Sequence, residues 1–324
     1  MSKDSVKKKH VYFSVSGSKK VHLGTPENPN RKNLRLALAY LNDKLNKYEQ
    51  EYAKLDELLS PPRSLSTKYK LIIFDLDGVI YAKPWHEITS ERVSVSTWDV
   101  LFQELGIYPM HEKLKQRFEA REFTYMEWTA AACSALKMAG LRKETFERTI
   151  LERPLTPGAE FALKRLSSAT VVGSAEVTHP IIGVISGSFD ALAHRLKTIV
   201  PGILMEAHCT LEFDNKGALK DPPKIRPTDY EGKADIVRKW IKQLGVSREA
   251  VAYIGDDVND KDAFNEVGLS IAFNAEKLTV RRAAKVIVDS RSFKSILPHL
   301  TDEMESTADI GTANGDLTAS TTTF

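Results

Sequence analysis

The sequence predicts an α/β protein: a parallel sheet with helices on both faces, an inserted all-helical cap and an N-terminal helical extension. Three observations predict it. Short continuous apolar runs have the character of strands buried on both faces. Helical patterns alternate with these runs, the signature of a parallel sheet built from strand–helix–strand units. One long helical segment without a strand candidate interrupts the alternation directly after the first strong strand.

Taken in chain order, residues 1–30 are polar and broken by Gly and Pro, with a short strand candidate at Lys19–Leu23. From Arg31 to Leu59 apolar residues such as Leu34, Leu38, Leu41, Leu45, Tyr48, Tyr52, Leu55 and Leu59 recur at helical spacing. This predicts a long amphipathic helix or helical hairpin, stopped by Pro61-Pro62. It reads either as a structural appendage or as a docking surface for a partner or a second copy, a homodimer. Leu71-Ile72-Ile73-Phe74 is the first doubly buried strand. Pro180–Ile185 and Val251–Ile254 are the next two, with weaker runs at Leu269–Phe273 and Val286–Val288. Between them lie helical patterns at Pro157–Leu166, Phe189–Ile199, Lys233–Leu244 and Asp260–Val267. Ala207–Phe213 and Ala218-Leu219, joined by Asp214-Asn215-Lys216-Gly217, predict a β-hairpin. The domain organisation follows: 1–68 an N-terminal extension, 69–85 with 152–303 the main α/β domain, 86–151 the helical cap, and 304–324 a disordered tail rich in Thr, Ser, Ala, Gly and Asp.

Composition narrows the classes. A chain of 324 residues with 42% hydrophobic and 27% charged residues is an ordinary globular protein. A net charge of +3 gives no electrostatic case for nucleic acid or an anionic membrane, and the lysines at 7–9 read as a solvated terminus. The two cysteines, Cys133 and Cys209, show no metal or redox spacing, which fits a reducing compartment. No apolar stretch approaches the roughly 20 residues that span a bilayer, and no secretory signal is present. The expectation is a cytoplasmic protein with no nucleic-acid or membrane partner.

The chemistry lies where the strong strands end, because ligands of open α/β sheets bind outside the carboxyl ends of the strands. The first ends Asp75-Leu76-Asp77-Gly78-Val79, the second Ser186-Gly187-Ser188, and the third Gly255-Asp256-Asp257-Val258-Asn259-Asp260. Bringing Asp75, Asp77 and Asp256 together creates repulsion that a divalent cation resolves, and an all-oxygen set with room for water and phosphate suits Mg²⁺. The Asp-Gly spacing does not make an EF-hand calcium loop. Ser186 offers a hydroxyl, and Gly187 with Ser188 offers backbone N–H groups at an expected helix N-terminus, an anion site. Lys233, in the first turn of its helix, supplies a point charge for the phosphate.

These segments resemble the haloacid dehalogenase superfamily, in its phosphoserine phosphatase-like branch. The resemblance runs from Lys70 to Leu300, with four motifs in order: Asp75–Val79, Ser186–Phe189, Lys233 and Gly255–Asp260. It implies a Rossmann-like sheet, a Mg²⁺-dependent phosphatase acting on a small phosphorylated metabolite, and a role for each matching residue. Asp75 would be the nucleophile and Asp77 the general acid–base. Asp75, the Asp77 backbone carbonyl and Asp256 would hold the metal. Ser186, Gly187, Lys233 and Asn259 would bind phosphate or adjoining substrate, with Asp257 and Asp260 in support.

The resemblance fails at the substrate. The cap glutamate of phosphoserine phosphatases would fall near Pro84, where the nearest Glu is Glu87, and their cap arginine falls opposite Ala130–Ala132. Arg117 and Arg121 are the nearest replacements. The expectation is therefore a more apolar or carboxylate-free phosphomonoester, with Trp85, Tyr125 and Trp128 as candidate pocket aromatics. Two rival readings share the sequence: a phosphotransferase that passes the phosphoryl group to an alcohol, and a non-catalytic scaffold acting through the N-terminal helix.

Overall fold

The computed structural model describes residues 11–15, 19–25, 28–29, 64–82, 96–173, 178–220, 223–225 and 230–303. The N-terminal part shows a small antiparallel sheet of β1 (Val11–Val15), β2 (Lys19–Thr25) and β3 (Asn28–Pro29), so the strand expected at Lys19–Leu23 is present. The helix expected over 31–59, its proposed docking role and the tail at 304–324 lie outside the described residues.

The main sheet has seven strands in the order β12 (Val286–Val288), β11 (Leu269–Phe273), β10 (Val251–Gly255), β5 (Leu71–Phe74), β7 (Ile181–Phe189), β8 (Leu204–Thr210) and β9 (Lys224–Ile225). All neighbours are parallel except the β8–β9 pair at the edge. The chain builds outward from β5 through β7 to β8, then crosses back to β10 on the other side of β5. The carboxyl ends of β5, β7 and β10 therefore lie side by side at the point where strand order reverses.

The doubly apolar runs are explained by the two faces. Alternate side chains of a strand point oppositely. Ile72 and Phe74 join one buried cluster with Ala162, Leu166 and the cap residues Trp98 and Phe102, while Leu71 and Ile73 join the other with Val237, Trp240 and Phe264. The helices that cover them include α5 (Ala159–Ser167) and α7 (Tyr230–Leu244). The cap comprises α1 (Thr97–Glu104), α2 (Tyr108–Glu119), α3 (Tyr125–Met138) and α4 (Lys143–Glu152). Capping boxes at Ser96 with Asp99 and at Thr124 with Glu127 start α1 and α3.

Three sequence expectations shift. β7 runs on through Phe189, so Ser186-Gly187-Ser188 is strand and not a helix start; α6 (Asp190–Arg195) begins only afterwards. The apolar run before Thr210 is a parallel strand of the main sheet, and the hairpin shrinks to the Phe213–Leu219 bridge around a turn held by Asp214. Helix is brief after β10: a 3₁₀ turn at Val258–Asp260 leads into α8 (Lys261–Phe264). A small sheet of β4 (Leu65–Thr67), β6 (Thr170–Val171) and β13 (Asp302–Glu303) carried too few residues to show a period. Cys133 of the cap and Cys209 of β8 are free and buried, with Sγ atoms 3.8 Å apart.

Trp240 can pack close against the sheet because β7 has no side chain opposite it: a Cβ on Gly183 would sit 2.7 Å from the indole ring. Gly183→Ala is expected to lower stability by about 1–3 kcal/mol through overpacking. Urea unfolding measures this, and most of the loss should vanish in a Trp240→Leu background; an equal loss there would refute the clash.

Candidate active site

Asp75 is the first residue beyond β5, its N–H bonded to the Ile254 carbonyl of β10 (2.9 Å). Its side chain is buried. One carboxylate oxygen accepts the Leu76 N–H (2.7 Å) and the other lies 3.0 Å from Lys233 Nζ. Lys233, wholly buried on α7, also donates to Asp260 Oδ1 at 2.7 Å, which accepts the Tyr253 hydroxyl at 2.8 Å as well. Asp260 Oδ2 takes the Asp256 and Asp257 N–H groups (2.9 and 3.1 Å). This closeness requires glycine at 255, where a Cβ would sit 2.4 Å from Asp260 Cγ.

Charge and burial compete within this network. Burial pushes the Asp75 carboxyl up, Lys233 pulls it back, repulsion from Asp260 adds to the rise, and the group titrates at about 6. Burial alone would lower Lys233, but Asp260 and Asp75 hold it well above the ordinary lysine value. Lys233 is thus a fixed cation wedged between two carboxylates.

Asp77 is held from the cap. Thr97, the first residue of α1, donates its hydroxyl to Oδ1 (2.7 Å) and its N–H to Oδ2 (3.0 Å). Arg153, just past α4, brings Nη2 to 3.4 Å of Oδ1 and is itself buried. Both ends of the cap therefore grip one carboxylate. Gly78, at φ +84°, supplies the turn behind it.

A cavity of about 190 Å³ lies between the strand ends and the cap. Asp75, Asp77, Ser186, Gly187, Asp256, Asp257 and Asn259 all line it. Ser188 Oγ and Asn259 Oδ1 are buried on this side without a hydrogen-bond partner among the described residues. The Gly187 carbonyl accepts Trp98 Nε1 (3.1 Å) and the Tyr125 hydroxyl (3.3 Å), and a Cβ on Gly187 would sit 2.4 Å from that hydroxyl oxygen. Lys233 and Asp260 stand behind the lining, where they touch Asp75 and each other. Lys277 reaches Asp257 across the mouth at 3.0 Å.

The candidate substrate residues divide. Tyr125 and Trp128 line the cavity. Arg117 pairs with Glu122 at 2.8 Å and stacks over Phe123, and neither it nor Arg121 lines the cavity. Lys115 and Glu119, one turn apart on α2, do. Trp85 and Glu87 lie outside the described residues. Sequence reasoning did not single out Thr97, Arg153, Tyr253 or Lys277. Only Thr97 carried a local signal, because the Ser96-x-x-Asp99 capping box marks it as the first helical residue.

Carboxylate oxygens of Asp75, Asp256 and Asp260 fall within 4.8 Å of one another, a group able to hold a metal ion. Four donors already engage Asp260, so Asp75 and Asp256 are the carboxylates suited to ligate. Two buried carboxylates on an all-oxygen site fit a hard divalent cation.

A family model described as haloacid dehalogenase-like hydrolase matches residues 69–268. The chain belongs to this family. A phosphoserine phosphatase of Archaeoglobus fulgidus is 30% identical over 71% of this chain, which spans 60% of that relative's length. One of Methanocaldococcus jannaschii is 24% identical over 73% of this chain and 100% of its own. A solved substrate-bound phosphoserine phosphatase complex matches the fold with a TM-score of 0.57 at 24% identity, covering 72% of this chain and all of that one. A haloacid dehalogenase family hydrolase of Salmonella enterica matches with a TM-score of 0.60 at 20% identity, over 74% of each chain. The relatives matched thus include phosphoserine phosphatases.

Asp260→Ala would leave Lys233 short of one counter-charge and strand the Tyr253 hydroxyl and two N–H groups. The expected loss is about 3–5 kcal/mol, typical of breaking a buried pair from one side. Denaturant unfolding of the metal-free protein tests it, and a loss below about 1 kcal/mol, typical of an exposed pair, would refute the role given to Asp260.

Proposed function

We propose that the protein is a Mg²⁺-dependent phosphomonoester hydrolase that works through an aspartyl-phosphate at Asp75. The observation that carries the reading is Asp75 itself: a buried carboxylate at a strand end, fixed by Lys233, opening onto a cavity that also holds Asp77.

A carboxylate oxygen of Asp75 attacks phosphorus, and the bond from phosphorus to the ester oxygen breaks. Asp77 gives its proton to the departing alkoxide, leaving an alcohol. Water then attacks phosphorus, Asp77 takes its proton, and the Asp75–phosphorus bond breaks to free phosphate and restore the carboxylate. Thr97 and Arg153 hold Asp77 in line for both transfers, while Lys233 keeps Asp75 oriented and offsets charge from behind. Ser186, the Gly187 region and Asn259 present polar groups to the phosphoryl oxygens. Mg²⁺, held by Asp75, Asp256 and the Asp77 backbone carbonyl, would supply neutralisation of the phosphate charge. The substrate is a small phosphorylated metabolite. Phosphoserine is one candidate, favoured by the opposite charges of Lys115 and Glu119 on the cavity wall.

Asp75→Asn is expected to abolish phosphate release from a phosphomonoester panel while unfolding stays cooperative; near-wild-type turnover by the folded variant would refute the covalent route. Asp77→Asn should slow turnover by about 10²–10⁴-fold.

The metal adds a pH signature. Protonation of Asp75 competes with cation binding, so the rise in Tm produced by Mg²⁺ over EDTA should be full above pH 7 and shrink as pH falls through about 6. A Mg²⁺-induced shift that grows towards pH 5, or full activity in EDTA, would contradict this.

A further inference from the structure

Two cap residues converge on one backbone carbonyl of the sheet. The register of β7 against β8 jumps from Ser186 to Phe189, so Gly187 and Ser188 face no partner residue there. The Gly187 carbonyl instead accepts the Trp98 Nε1–H at 3.1 Å and the Tyr125 hydroxyl at 3.3 Å. Both donors come from the cap.

Local structure places them. Trp98 is the second residue of α1 and Tyr125 the first of α3, and capping boxes fix both helix starts. Trp128 braces the two rings, stacking on Tyr125 at 5.6 Å and meeting Trp98 edge-on at 5.4 Å. Trp98 also packs on Phe189, with ring centres 4.3 Å apart. The approach needs glycine at 187, since a Cβ there would sit 2.4 Å from the Tyr125 hydroxyl oxygen.

The consequence lies at the other end of the same peptide unit. A trans peptide is planar, and its C=O and N–H point in opposite directions. Holding the Gly187 carbonyl therefore also aims the Ser188 N–H, which donates to Ser186 Oγ at 3.2 Å. A serine hydroxyl has one hydrogen to give and two lone pairs that accept. With an N–H held against its oxygen, the Ser186 hydroxyl keeps its hydrogen for another acceptor. Ser186 lines the cavity beside Asp75, where a phosphoryl group under attack would lie.

We propose that Trp98 and Tyr125 are positioning residues that hold the Gly187–Ser188 peptide so that the Ser186 hydroxyl donates to the phosphoryl group. The proposal rests on the phosphatase reading and adds to it two cap residues that act through Ser186.

A double-mutant cycle tests it on two quantities, kcat/KM for 4-nitrophenyl phosphate and the Ki of inorganic phosphate. Inorganic phosphate has no leaving group, so its Ki excludes any contact of the two rings with the alcohol. Tyr125→Phe keeps the ring and removes one donor. It is expected to lower kcat/KM and raise Ki by about three- to ten-fold, the size of one hydrogen bond. Trp98→Phe should act in the same direction. In a Ser186→Ala background, Tyr125→Phe should change either quantity by less than about two-fold, because the group it acts through is gone. Equal losses in both backgrounds, as a packing role or a direct substrate contact would give, overturn the proposal. So does a Tyr125→Phe protein with wild-type values. If the wild type hydrolyses no phosphomonoester, the phosphatase reading fails, and the relay is read separately from the Kd of inorganic phosphate, by calorimetry with Mg²⁺ present. Weaker binding in Tyr125→Phe that disappears in the Ser186→Ala background then supports the relay. Equal Kd values, or no phosphate binding, overturn it.

Discussion

The arrangement depends on one buried cation. Lys233 sits without solvent between Asp75 and Asp260, and each contact serves a different part of the molecule. Towards Asp260 it completes a set that ties α7 to the loop after β10. Towards Asp75 it fixes the carboxylate that faces the cavity. A lysine buried this deeply is tolerated only because two carboxylates meet it at 3.0 and 2.7 Å. The same burial makes the Asp75 carboxyl reluctant to ionise, so the network holds an acid poised at about 6.

A second constraint links the cap to the chemistry. The two chain crossings between cap and sheet are adjacent: the Ala82 N–H meets the Pro154 carbonyl at 2.9 Å, and Arg195 caps the Ile150 and Arg153 carbonyls at 3.0 and 2.6 Å. Arg153 stands beside them, and together with Thr97 at the start of α1 it holds Asp77. Any movement of the cap would therefore be felt by that carboxylate.

Much of the sheet was legible because a strand buried on both faces needs apolar residues at every position. Leu71–Phe74, Val251–Ile254 and Leu269–Phe273 state this in four or five residues each, and the structure places them where expected. The cap was legible as a run of helical pattern, and Asp75, Asp77, Asp256 and Asn259 as polar residues after strand ends. The misreadings came from weak local signals. β7 continued past the glycine because pairing with β8 resumes at Phe189, a register shift that no period reveals. The small sheet of β4, β6 and β13 joins residues more than a hundred positions apart with two or three residues each.

By itself the sequence determined the layered α/β architecture, the inserted cap and the cluster of strand-end carboxylates, since each follows from periodicity or from the order of motifs along the chain. Only the tertiary structure decided which groups stand beside those carboxylates. Arg153 is 76 residues from Asp77, and His111 is twelve from Asp99. Their pairing is set by how helices pack over a twisted sheet, and side chains brought together by packing share no period, spacing or composition that a one-dimensional reading can detect.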